Sequence, residues 1–163
     1  MAKYSASWQT VTATAVADTT NFTDSGYMMF LQGGNSTQRL VVSEIYAGGE
    51  DTASLPMTFV AARDSTVGAT SISGVKSALL DGSATAPGTT AVLGNVSTTK
   101  PQRSSTLHLL QLTFNTFGGI VRWVAAPGSE IAVVGNTASL GEMSLSSVTG
   151  AGKTSGHVIF EVV

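Results

Sequence analysis

Two histidines, ten carboxylates and one Gly-Lys-Thr string are the places where chemistry would have to reside in this 163-residue chain. The string Gly150-Ala151-Gly152-Lys153-Thr154 has the ending of a phosphate-binding loop, whose backbone amides and lysine hold phosphates. Its context is wrong. The pattern's first glycine falls on Ser147, and residues 155–163 read as a strand where a helix is required, so the expectation is a hairpin turn. His108 and His157 each sit inside a strand pattern beside apolar neighbours and read as packed or surface histidines. Serines abound, but there is no Gly-x-Ser-x-Gly elbow to present one as a nucleophile. The carboxylates show no calcium-loop spacing, and the one adjacent pair, Glu50-Asp51 beside Gly48-Gly49, reads as a solvated turn tip. With no cysteine, thiolate metal sites, disulfides and cysteine nucleophiles are excluded. The expectation is therefore a chain that is not an enzyme, with no catalytic, cofactor-binding or metal site.

The residues surrounding these groups point toward contact rather than catalysis. Only 11% of the chain is charged and the net charge is −2, so there is no cationic face for nucleic acid. Ser, Thr, Ala and Gly make up close to half of the sequence, 20, 22, 19 and 18 residues respectively. Mean hydropathy is +0.24, which sets the chain apart from disordered sequences. A weakly charged, hydroxyl-rich exterior gives little protection against association, so protein partners are expected. No apolar run is long enough to span a membrane, and the N-terminus lacks the apolar core of a signal peptide.

The elements that must position these residues are strands. Leu55, Met57, Phe59 and Ala61 alternate on one face of the run 55–63, and similar period-two runs cover 5–17, 27–32, 39–47, 106–115, 120–125, 130–134, 142–146 and 157–162. Turn residues separate them: Asp24-Ser25-Gly26, Gly33-Gly34-Asn35, Ala47-Gly48-Gly49, Phe117-Gly118-Gly119, Ala126-Pro127-Gly128 and Thr149-Gly150-Ala151-Gly152. The stretch 64–101 breaks the rhythm and reads as one long loop, with a short helix at 73–81 as its only candidate element and contacts with a partner as its expected use. Tyr4 and Trp8 have two placements open, the core or an N-terminal arm of residues 1–10 that docks on a neighbouring subunit. The remaining strand aromatics, Trp123, Phe59, Phe114 and Phe160, read as core. About eight antiparallel strands predict a single all-β domain over 1–163, a two-sheet sandwich of jelly-roll type, with an immunoglobulin-like sandwich as the alternative.

The order of several short motifs adds a resemblance. Leu112-Thr113-Phe114-Asn115 is followed by Gly119-Ile120-Val121-Arg122-Trp123, then Ala126-Pro127-Gly128-Ser129-Glu130, then Ser155-Gly156-His157-Val158-Ile159-Phe160-Glu161. Upstream stand Tyr4-Ser5-Ala6, Ser43-Glu44-Ile45, a strand ending at Arg63, and a loop reaching Asn95-Val96-Ser97-Thr98-Thr99. This order resembles the small tailed-bacteriophage head proteins that decorate or cement the capsid, and it covers nearly the whole chain. The resemblance implies a jelly-roll protein of the virion, made in the host cytoplasm. It would bind the major capsid protein on the outer surface of the head and associate with itself as a dimer or trimer. The proline motif carries less charge here than in such proteins, so no contact residue is carried over. A receptor- or carbohydrate-binding sandwich is the alternative, with Trp123 beside Tyr46 or Tyr27 as its aromatic platform.

Overall fold

The computed structural model describes residues 3–9, 27–33, 37–66, 76–83, 92–94, 102–134, 141–149 and 152–163. Eleven strands run through them: β1 (Lys3–Gln9), β2 (Tyr27–Gln32), β3 (Leu40–Gly49), β4 (Pro56–Thr66), β5 (Lys76–Leu79), β6 (Val92–Gly94), β7 (Gln102–Asn115), β8 (Ile120–Val124), β9 (Ile131–Val133), β10 (Met143–Thr149) and β11 (Thr154–Val162). Eight of the nine spans expected from periodicity contain a strand; of the ninth, 5–17, residues 5–9 belong to β1 and residues 10–17 lie outside the described set. The strands form two antiparallel sheets packed face to face. One has the order β5-β1-β11-β3-β8, with β9 continuing the β8 edge along β3; the other has the order β6-β2-β10-β4-β7.

Leaving aside the short β5, β6 and β9, strands pair first with last: β1 with β11, β2 with β10, β3 with β8, and β4 with β7. That is one long antiparallel ribbon rolled into two sheets, the jelly roll. Among the described strands no two consecutive ones pair with each other. The loop at 150–153 is accordingly not a hairpin turn. It carries the chain from β10 in one sheet to β11 in the other, and residues 150 and 151 lie outside the described set. Gly48 and Gly49 likewise belong to β3 and not to a turn. The Pro-Gly turn does form: Ser129 N–H donates to Ala126 O at 2.9 Å, and Gly128 sits at φ 84°, the second corner of a type II turn.

The inner faces make the core. Tyr4, Ala6 and Trp8 of β1, Ile45 and Ala47 of β3, and Val158 and Phe160 of β11 face Met29, Leu31, Met57, Phe59, Ala61, Met143 and Leu145 of the other sheet. A register shift opposite Ser43 lets Leu40 and Val42 point inward together with Ile45 and Ala47, which strict alternation would forbid. Of the two placements open for Tyr4 and Trp8, the core is the one adopted: β1 is flanked by β5 and β11, and Tyr4 stacks on Phe160 at 5.5 Å. The span 73–81 does not contain the expected helix over its described residues. Lys76–Leu79 is strand β5, because adding to the open edge of β1 supplies a ladder that barely two helical turns could not match. The excursion is also shorter than expected, since Asp64 to Thr66 complete β4 and β6 adds to β2. The rest of it, 67–75, 84–91 and 95–101, lies outside the described residues, as do the partner contacts expected there.

Candidate functional site

Three polar clusters stand out, and the strand register builds each of them. The first lies on the outer face of the six-stranded sheet. Ser7, His157, Tyr46 and Arg122 occupy one row across β1, β11, β3 and β8, with Glu44 two residues along β3. Arg122 donates to Glu44 through both Nε (2.8 Å) and Nη2 (2.9 Å), a bidentate pair. His157 Nε2 stands 3.5 Å from the same carboxylate and its ring stacks on Tyr46 at 5.2 Å. The Arg122 hydrogen bonds hold the Glu44 carboxyl below its usual range, against a smaller opposing effect of burial. Lys3 and Glu161 pair at 3.4 Å. Four of the charges of this face are thus paired within the chain.

This row does not assemble the aromatic platform expected for sugar binding. Trp123 pairs with Ile45 and packs on the core, so it points away from Tyr46, and the Tyr27 side chain is outside the described set. Tyr46 and His157 each use one ring face on the other. Nor do the histidines converge. His108 pairs with Ala62 and shares the outer face of the five-stranded sheet, whereas His157 lies on the opposite outer face of the sandwich.

The second cluster is buried. On the outward side of the five-stranded sheet, Phe30, Gln32, Val60, Ala62, Asp64, Ser144 and Ser146 are all at most 2% exposed, and Glu142 is fully buried. Ser144 Oγ donates to Asp64 Oδ1 at 2.6 Å, and the Asp64 N–H donates to the Glu142 backbone O at 3.2 Å. Burial pushes the Asp64 carboxyl up to about 6, with Ser144, Glu142 and the charge of Arg103 pulling the other way. Arg103 reaches across to donate to Ser146 Oγ and Ser147 O. Nothing near Asp64 in sequence announces this pair, because 78 residues separate its members. The unbroken apolar run from Phe59 to Ala62 is the one local sign, since a strand buried on both faces loses its alternation.

The third cluster corrects an expectation. Glu50-Asp51 is not a solvated tip but a tie between three chain segments at one end of the sandwich. Glu50 N–H donates to Lys153 O, Asp51 N–H to Thr116 O, and Lys153 N–H to Asp51 Oδ2, each at 2.9 Å. Glycines make this approach feasible: a Cβ on Gly49 would stand 2.2 Å from Thr116 O, and one on Gly152 would stand 2.3 Å from Asp51 Oδ2. The loop that resembles a phosphate site therefore has its Lys153 amide committed to a carboxylate, and Thr154 opens a strand in place of a helix. Calorimetry with ATP and magnesium is expected to be silent for both wild type and Lys153→Ala. Micromolar binding lost in the variant would reverse this reading.

Among the described residues, no group of three or more His, Asp or Glu side chains is placed to hold a metal ion, and no helix is long and apolar enough to cross a membrane. The chain matches no protein-family model, no curated protein and no solved structure.

Proposed function

We propose that this chain is a non-enzymatic structural protein of a tailed-phage particle, binding the outside of the head and cementing contacts between major capsid subunits as a symmetric oligomer. The observation that carries the reading is the outer face of the six-stranded sheet, on which Glu44 is paired with Arg122 and Lys3 with Glu161. A face of that kind loses little ion hydration when it docks on protein. The order of sequence motifs, which resembles that of capsid decoration proteins, is the ground for taking the major capsid protein as the partner. Individual contacts of this type are modest. A lattice multiplies them, because a subunit held at one point meets the next at high effective concentration.

Purified protein added to heads that lack it is expected to bind about 10²–10⁴-fold more tightly than to unassembled capsid subunits, and to raise the temperature at which heads rupture. Equal affinity for both forms, or saturated heads that rupture with bare ones, would remove the cementing role. Binding to a glycan array instead would move the receptor-binding alternative into its place.

A further inference from the structure

Large exposed apolar side chains are unevenly distributed over this sandwich. Of the eight among the described residues, Leu107, Phe117, Ile120, Val124 and Val134 lie on or beside β7, β8 and β9, the strands that end the two sheets on one side. β7 is the longest strand, at 14 residues, and among the described residues it pairs only with β4. Among the described residues nothing pairs with its other edge. From 104 to 115 it contains no charged residue, proline or glycine, so of the usual devices that keep an edge strand from pairing it has only its bulges.

The sequence of that edge is self-complementary when reversed. Thr106-Leu107-His108-Leu109 read forward matches Thr113-Leu112-Gln111-Leu110 read backward, with His108 and Gln111 as the single unlike pair. Antiparallel neighbours must share a face, and an uninterrupted strand would put these partners on opposite faces. The β4–β7 register resolves this. Ala61 pairs with Leu110 and Ala62 with His108, so one extra residue, Leu109, bulges between them. Ala61 belongs to the core side and Ala62 to the outer side. Leu110 and Leu112 therefore take the core side and Gln111 the outer, while His108 takes the outer side and Leu109 packs on the core; beyond His108, residues 104–107 stand opposite Arg63 alone. His108 and Gln111, and Leu109 and Leu110, then meet on the same face.

We propose that two copies of this chain join through β7 across a twofold axis between Leu109 and Leu110. His108 then faces Gln111 of the partner subunit, Leu109 faces Leu110 of the partner subunit, and the two five-stranded sheets adjoin along this segment. The half-exposed leucines at the open rim are covered, and the free ladder is satisfied on both sides. This rests on the oligomer in the reading above and names the surface that makes it.

Light scattering on the full chain at tens of micromolar is expected to give a mass twice the 16.6 kDa of one chain. His108→Glu with Gln111→Glu places like charges opposite each other at two exposed positions and should halve that mass. His108→Lys with Gln111→Glu places opposite charges there and should keep the dimer. Because the chain has no cysteine, His108→Cys with Gln111→Cys provides a second readout, a disulfide-linked dimer that forms without denaturing the protein. A monomeric or trimeric wild type overturns the proposal, as does equal mass for both charged variants or failure of the cysteine pair to cross-link. A dimer that ignores phage heads would sink the shell-binding reading and leave this pairing intact; a monomer that binds them would do the reverse.

Discussion

Asp64→Asn will be more stable than wild type at pH 8, by up to about 3 kcal/mol, and the gap will shrink as the pH falls. The folded-state carboxyl is pushed up to about 6 from an ordinary 3.8, chiefly by burial, and about two units at roughly 1.4 kcal/mol each give that figure. Because the folded chain holds this proton more tightly than the unfolded one, acid favours folding here. The cost of ionising Asp64 is absent below about pH 4, grows as pH rises toward 6, and is complete above it. At pH 5 about half of it remains, so the advantage of the asparagine should be about 1.5 kcal/mol smaller there than at pH 8. Glu44 acts in the opposite sense, since its lowered carboxyl contributes stability that is lost in acid. The difference between variant and wild type isolates Asp64 from it. Urea unfolding of both proteins between pH 4 and 8 measures this. A variant less stable than wild type at pH 8 would mean that Ser144 and Arg103 hold the ionised Asp64 strongly enough to offset its burial.

Trp8→Ala will cost about 3–5 kcal/mol, a large share of the stability of an ordinary domain. The indole is 2% exposed, lies in the inter-sheet core, and donates from Nε1 to Thr154 Oγ1 at 3.4 Å. It also lies over Gly156, its partner across the β1–β11 ladder, where an added Cβ would stand 2.4 Å from Trp8 Cζ2 and 2.1 Å from Tyr46 O. Gly156→Ala should therefore be destabilising as well. It should stay so in the Trp8→Ala background, because removing the indole does not move the Tyr46 carbonyl. Thermal unfolding of the two single variants and the double variant checks both statements. A Trp8→Ala protein within about 0.5 kcal/mol of wild type, the range of surface substitutions, would place β1 outside the core.

Strand identity was largely legible because it is local. Alternation at Met57, Phe59 and Ala61, or at Tyr4, Ala6 and Trp8, follows from the two-residue repeat of a pleated chain with one buried face, whatever the neighbour is. The same holds for the Pro127-Gly128 turn, whose backbone angles those two residues favour by themselves. β5 and β6 were not legible, being four and three residues long. Their strand state comes from the open edges of β1 and β2 rather than from any periodicity of their own. Turn residues showed where the chain bends but not what it pairs with next, so the loop before β11 read as a hairpin although it crosses between sheets.

What the sequence by itself determined, then, was the class: strands throughout, few charges, and no cysteine chemistry. Tertiary structure alone decided which side chains meet. Glu44, Arg122 and His157 come from β3, β8 and β11, and Asp64 and Glu142 from the ends of strands that become neighbours only when the ribbon rolls up. Pairing partners in a jelly roll are distant in sequence, and a shift of one residue in register would turn each of these side chains to the other face. The physical reason is that a strand's own residues choose which of its faces is buried, whereas its neighbours and their register are chosen by the closure of both sheets on one core.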